Sequence, residues 1–399
     1  MSQLANAIDV GQVHFKNKMI KGAMSEALAN HAGQPNHLHL GLYEAWAKGG
    51  LGCAITGNVM VDFRAKNEPG VVVIETERDL EPLKQWAAIG KKHGMVQLVQ
   101  LSHPGRQCPK GLNKETVAPS AVPFSPALSM SFGTPRALRE DEILDIIQRF
   151  ATSAAICEKA GFEGVQLHGA HGYLISQFLS PLTNKRQDQW GGSAENRMRF
   201  LLEIYKAVRA ATSEQFIISV KLNSADFQRG GISEEDVIAT FKAIDAAGID
   251  LIEISGGSYE APAMAGVKQE KRKASTIARE AYFLEFAEKI REQVQCKLMV
   301  TGGFRTAAGM NAALASGACD FIGMARPFAV EPDVTNRLIA GQDVRYAVDK
   351  IKTGISMIDK MAIMEVIWYA AQFKDIAEGK RPNPKLSPLK VFFNYLKGN

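Results

Sequence analysis

No Cys-x-x-Cys pair occurs anywhere in the 399 residues, and the five cysteines (Cys53, Cys108, Cys157, Cys296 and Cys319) are scattered. This excludes a zinc or iron–sulfur site built from a local motif and predicts a reducing compartment without a disulfide framework. No Gly-x-Gly-x-x-Gly turn follows an early strand, which ranks a doubly wound dinucleotide fold low. Long apolar runs are missing too. "MSQLANAIDVGQVHFKNK" has no apolar core of signal-peptide length. "MAIMEVIWYAAQF" is about half a membrane span and carries Glu365. The expected location is cytoplasmic, with no membrane partner. Excess charge of one sign is confined to the tail. Of 47 basic residues, five lie in the last twenty, which contain no acid, leaving 42 basic against 42 acidic in the body. A neutral body argues against a nucleic-acid partner.

What is present is alternation. Short apolar or β-branched runs at 19–23, 52–56, 95–102, 164–168, 216–223, 251–255, 298–302 and 321–324 read as strands. Between them lie amphipathic stretches such as "DLEPLKQWAAIGKKHG" and "SEEDVIATFKAIDAAG", opening on Ser, Asp or Thr and ending in Gly, as helices do. Continuously apolar strands, each followed by a helix, indicate a parallel sheet. Eight such units predict an α/β fold of the (β/α)₈ TIM-barrel type. The barrel is expected over residues 1–345, with a C-terminal helical extension and basic tail over 346–399. Residues 104–139, rich in Pro and Ser, form a long loop after strand 3, a length usual for functional covers.

In a parallel barrel the active site lies at the carboxyl ends of the strands, and the unusual polar residues cluster there. Strand 4 ends in "HGAHGY", placing His168, His171 and Tyr173 within six residues. Gly302-Gly303 after strand 7 and Ala325-Arg326 after strand 8 supply small residues, free backbone N–H groups and a cation, the composition of a phosphate site. A ligand with a phosphate tail and a head in the barrel mouth is expected.

The stretch "HGAHGYLISQFLSPLTNKRQDQWGGSAENRMRF" closely resembles the signature region of the Old Yellow Enzyme family of NAD(P)H:flavin oxidoreductases, and the likeness runs from "NKMIKGAM" to "MARPFAVEPD". The resemblance implies an FMN-containing barrel, reduced by NADPH or NADH, that passes hydride from flavin N5 to the C=C bond of a small-molecule activated alkene such as an α,β-unsaturated carbonyl. It implies that Ala23, Met24 and Ser25 lie along the flavin ring, that Gly57 approaches its pyrimidine edge, and that Gln100 hydrogen-bonds that edge. His168 and His171 would bind the substrate carbonyl oxygen and Tyr173 would donate the proton. Gly302, Gly303, Ala325 and Arg326 would hold the phosphate; no metal is implied. The chemistry suits these residue types. Two donors aimed at the carbonyl oxygen stabilise an enolate-like transition state, and a phenol with an ordinary pKa of about 10 is protonated at neutral pH and able to act as an acid.

The chain departs from the family's pattern in places. Ala23 stands where many relatives have Pro, and Ser25 where many have Thr or Cys. Glu26 reads as a helix-start or ion-pair residue. Lys221 replaces the strand-5 Arg, keeping the positive charge but not the planar fork; Asn223 and Asp226 are candidates to orient it. Arg186, Asp188 and Arg197 read as structural ties between the strand-4 loop and its helix. Cys108 reads as an inert thiol near the mouth. "KQEKRK" (268–273) is either a solvated loop or an attraction for a phosphorylated ligand. The aromatic, basic tail suits packing on its own barrel or in a homo-oligomer. Alternatives on the same site are a dienoyl-thioester or nitro-compound reductase. From other classes come an FMN-dependent RNA uridine reductase, disfavoured by the neutral body, and a non-redox phosphate-binding barrel.

Overall fold

The computed structural model describes residues 2–126, 128–129, 131–225, 230–256, 283–346, 351–359 and 364–396. Eight parallel strands pair in sequence order and the first pairs with the last, closing a barrel. They are β1 (Met19–Lys21), β2 (Cys53–Met60), β3 (Val96–Ser102), β4 (Gly164–Gly169), β5 (Ile217–Asn223), β6 (Leu251–Ser255), β7 (Lys297–Thr301) and β8 (Phe321–Met324). Each of the eight predicted runs supplies one strand. Around them pack helices α1 (His37–Lys48), α2 (Leu80–His93), α3 (Glu140–Ala160), α4 (Ala194–Ala211), α5 (Glu234–Ala246), α6 (Leu284–Arg291) and α7 (Ala307–Ala315). Their ends follow the expected chemistry. Ser193, Ser233 and Thr306 accept backbone N–H bonds at the starts of α4, α5 and α7, while Gly94 and Gly161 close α2 and α3 in the left-handed conformation.

One strand runs further than its sequence suggests. "TGN" reads as a strand end, but β2 continues through Gly57 and Asn58 to Met60, with a register shift against β3 between Ile55 and Asn58. A bulge re-aims side chains, and this one brings Asn58 to the mouth of the barrel.

The two-residue period of a strand sends alternate residues into the barrel, and the interior changes character along its axis. At the amino end it is apolar: Ile20, Cys53, Ile55, Val96, Leu98, Ile217, Leu251, Met299 and Phe321 form one buried cluster. A two-stranded hairpin, Ile8–Val10 with Val13–Phe15, seals that end, with Phe15 and Phe321 ring centroids 5.0 Å apart. Towards the carboxyl ends the same strands turn polar, with Gln100, Gln166, His168, Lys221, Glu253, Ser255 and Thr301 all buried. An apolar plug below a polar mouth places the chemistry at one end.

The described residues of the 104–139 loop are tied to the segment after β4 through the Pro104, Pro119 and Leu138 carbonyls. Val117–Ala118 pairs in parallel with Arg136–Ala137, Phe124 packs on Phe132 with ring centroids 4.7 Å apart, and the Arg106 guanidinium lies over Phe124. After β8, the helix Met364–Ala377 lies against α1. Trp46 meets Phe373 edge-on, and a Cβ on Gly41 would stand 2.2 Å from the Ala377 carbonyl oxygen, so only glycine allows this approach. Among the described residues no helix is long and apolar enough to cross a membrane.

Candidate active site

β4 delivers His168 to the barrel mouth, and the turn that follows folds His171 and Tyr173 back over it. His171 has φ of 58°, a left-handed conformation uncommon for a residue with a side chain. Its N–H donates to Asn223 Oδ1 (3.3 Å) and its Nε2 lies 2.8 Å from Ser255 Oγ, so β5 and β6 fix both backbone and ring. Strain held by surrounding contacts is a mark of functional turns. His168 and His171 meet edge to face at 5.3 Å between ring centroids, and His168 and Tyr173 at 4.6 Å. Tyr173 caps the short helix Leu174–Leu179, whose Gln177 side chain binds the carbonyls of Pro104 and Gly172, fastening this turn to the start of the 104–139 loop.

Both imidazoles are neutral. Burial pushes His168 well below the usual histidine range, with repulsion from Lys221, and from His171 whenever that ring is protonated, adding to it; burial and Lys221 push His171 down to about 3. His168 Nδ1 accepts the Ala170 N–H at 3.4 Å, which leaves Nε2 carrying the hydrogen. The pair therefore offers neutral N–H donors rather than cations. No inflection near the ordinary histidine pKa of about 6.5 is expected in the pH profile of kcat/KM. Stability behaves differently. With folded pKa values of about 3 for His171 and about 4 for His103, another buried imidazole, the unfolded chain binds more protons at mildly acid pH. This contribution is complete above about pH 6.5 and is lost as pH falls below it. Thermal unfolding temperatures measured from neutral pH downward should fall accordingly.

Below the imidazoles runs a buried polar belt. Gln100 Nε2 donates to Gln166 Oε1 (2.7 Å), and Gln166 Nε2 donates to Glu253 Oε2 (2.9 Å). Lys221 Nζ stands 2.9 Å from Glu253 Oε1, with the two side chains 4% and 0% exposed. A lysine inside a barrel needs a counter-charge, and Glu253, one strand over and in register with Lys221, supplies it. Asn223 is engaged by the His171 backbone, and Asp226 lies outside the described residues, as do residues 268–273. The sequence signal for Glu253 was a single acid inside the apolar run "LIEIS".

On the β1 side, Glu26 is an ion-pair residue. Its Oε1 accepts from Lys21 Nζ (3.2 Å), Tyr43 Oη (2.7 Å) and the Gly57 N–H (3.1 Å). A Cβ on Gly57 would lie 2.6 Å from the Met24 carbonyl oxygen, so glycine lets residues 23–25 lie flush against β2. The Ser25 hydroxyl bonds the Glu68 carboxyl, which burial raises to about 7. Across the mouth, Gly302 and Gly303 have φ of 107° and 92°, and Arg326 opens the turn after β8 beside the Tyr369 hydroxyl; the expectation of free N–H groups is corrected at Gly302, whose N–H donates to the Gly323 carbonyl of β8 at 3.4 Å. Cys108 is buried and its thiol is pushed up to about 12, which makes it unreactive. Arg186 pairs with Asp188, but it also binds the Pro119 and Leu138 carbonyls and so ties the long loop as well; Arg197 binds the Leu179 and Gly192 carbonyls and Asp236 of α5.

These residues fit a flavin mononucleotide by the chemistry of their donors. A smooth wall at 23–25 and Gly57 suits a planar ring. Gln100 and Lys221 suit a polar pyrimidine edge, and the glycine pair with Arg326 suits a phosphate.

A closed parallel barrel with a glycine pair and an arginine across the mouth from two buried imidazoles and a tyrosine has the composition of a cofactor-binding barrel. The chain is a member of the NADH:flavin oxidoreductase / NADH oxidase family, whose model matches residues 3–344. It is 36% identical over 348 residues to the NADH-dependent flavin oxidoreductase iliE of Hypocrea jecorina, covering 82% of this chain and 86% of that one. Among solved structures, an Old Yellow Enzyme homologue from Zymomonas mobilis superposes with a TM-score of 0.72 at 26% identity, over 84% of this chain and 92% of that one. A 2-naphthoyl-CoA reductase in complex with 2-naphthoyl-CoA gives a TM-score of 0.79 at 26% identity, over 93% of this chain but 58% of that longer one. The protein is therefore a flavin-dependent oxidoreductase that uses FMN and a reduced nicotinamide.

Proposed function

We propose that this chain is an ene-reductase that saturates the C=C bond of α,β-unsaturated carbonyl compounds. The carrying observation is the convergence of two neutral imidazoles and a phenol at the carboxyl end of β4, with ring centroids 5.3 and 4.6 Å from His168. When bound, FMN supplies the hydride that adds to the β carbon. His168, through Nε2–H, and His171 bind the substrate carbonyl oxygen and carry its growing negative charge. Because both are uncharged, they polarise the carbonyl without protonating it prematurely. Tyr173 then gives its phenolic proton to the α carbon and recovers one from water. Ala23, Met24, Ser25 and Gly57 form the wall for the flavin ring; Gln100 bonds its polar edge, His168 lies beside it, and Lys221 sets a positive charge near it. Gly302, Gly303, Ala325 and Arg326 hold the phosphate.

The physical logic is a division of labour. The Lys221–Glu253 pair keeps a charge where an electron-rich ring needs one, while the histidines stay neutral so that the developing oxyanion meets donors and not an acid. The test is direct. Purified protein should be yellow, bleach anaerobically with NADH or NADPH, and recover its colour on adding cyclohexenone. Folded protein that is colourless and fails to take up FMN would overturn the proposal. A thioester-activated alkene is the second reading, favoured by the extent of the likeness to the reductase solved with 2-naphthoyl-CoA; crotonyl-CoA in place of cyclohexenone separates the two.

A further inference from the structure

The Tyr173 phenol is held by two amides that no sequence motif indicates. Asn58 Nδ2, on the bulged part of β2, lies 3.4 Å from Tyr173 Oη, and Asn67 Nδ2, in the loop that follows β2, lies 3.3 Å from it. Tyr173 is 4% exposed and Asn67 9%. A phenol carries one proton, so at least one of two flanking amides must donate to its oxygen whichever way the other is turned. In the structure both turn Nδ2 toward it. The Oδ1 atoms of both asparagines are buried without a hydrogen-bond partner among the described residues. An unpaired buried carbonyl costs about 1–3 kcal/mol, so the arrangement favours the phenol at the expense of the amides. Donors fixed on an acid's oxygen stabilise the anion it leaves behind.

We infer that Asn58 and Asn67 are the positioning pair for the Tyr173 acid, directing its proton to the substrate and receiving the negative charge left on the phenol oxygen. The step balances. The O–H bond of Tyr173 breaks as the C–H bond at the α carbon forms, the electron pair for that bond comes from the enolate, and the phenolate between the two amides is reprotonated by water. The inference rests on the proposed acid role of Tyr173 and goes beyond it by assigning two residues that do not touch substrate.

The experiment compares reoxidation of the reduced holoenzyme by cyclohexenone and by ferricyanide, which accepts electrons without a proton being delivered to carbon. Asn58→Leu and Asn67→Leu should each slow reoxidation by cyclohexenone about tenfold, the value of one hydrogen bond, and raise its solvent deuterium isotope effect. Reoxidation by ferricyanide should stay within about twofold of wild type, the effect expected when no stabilising contact is lost. Asn67→Asp keeps the shape, loses the N–H donors and should behave as Asn67→Leu does; it serves if the leucine variants do not fold. In NMR spectra of protein with labelled tyrosine, the Tyr173 ring signal should broaden in each variant as the ring gains freedom. Normal cyclohexenone rates in these variants while Tyr173→Phe is slow would overturn the pairing but leave the acid. Equal slowing with both oxidants would reduce the asparagines to structural residues and overturn it too. A normal rate in Tyr173→Phe would instead remove the reading beneath it.

Discussion

Replacing Tyr173 by Phe is expected to slow alkene-driven reoxidation by about 10²–10⁴-fold, the usual worth of a placed general acid, while reduction by NADH proceeds at close to its normal rate. The asymmetry follows from position. Tyr173 touches His168 and the two asparagine amides, and in the proposed reaction its hydroxyl faces the substrate's α carbon and not the nicotinamide. Removing one oxygen leaves the ring packing and the His168 contact in place, so the loss should appear in the second half-reaction alone. Stopped-flow traces of each half-reaction, recorded separately, make the comparison; equal slowing of both would place Tyr173 in general architecture.

The second large effect concerns stability. Lys221→Met would strand Glu253, whose side chain is 0% exposed, with Gln166 as its remaining donor. Breaking a buried ion pair from one side typically costs about 3–5 kcal/mol, because the surviving charge stays desolvated. Urea unfolding should show that loss. Adding Glu253→Gln should restore most of it, since a neutral amide can stay within the hydrogen-bonded belt from Gln100 through Gln166. The double variant should still bind FMN more weakly than wild type, because the positive charge at the ring edge is gone. Full stability in Lys221→Met would overturn the structural role given to the ion pair.

Much of this architecture was legible in the sequence, because parallel barrel strands are buried on both faces and read as apolar runs punctuated by helix caps. The polar end of the barrel followed from where the polar residues stop those runs, as at "HGAHGY". What escaped was less regular. Gly57-Asn58 looks like a turn, and only the register shift between Ile55 and Asn58 keeps the strand going. Asn67 lies in an irregular loop where an asparagine is unremarkable. Glu253 was visible as an acid in an apolar run, but its pairing with Lys221 depends on β5 and β6 lying side by side in a particular register. Local pattern reveals which residues are unusual; long-range register decides what they meet.

The central claim is that hydride and proton reach the two alkene carbons from different sources, the proton by way of Tyr173. Reducing cyclohexenone in ordinary water with NADH deuterated at the transferred hydrogen, and locating the label in the product by NMR, tests it. The account predicts deuterium at the β carbon and solvent hydrogen at the α carbon. Deuterium at the α carbon, or a product alcohol with the C=C bond intact, would contradict it.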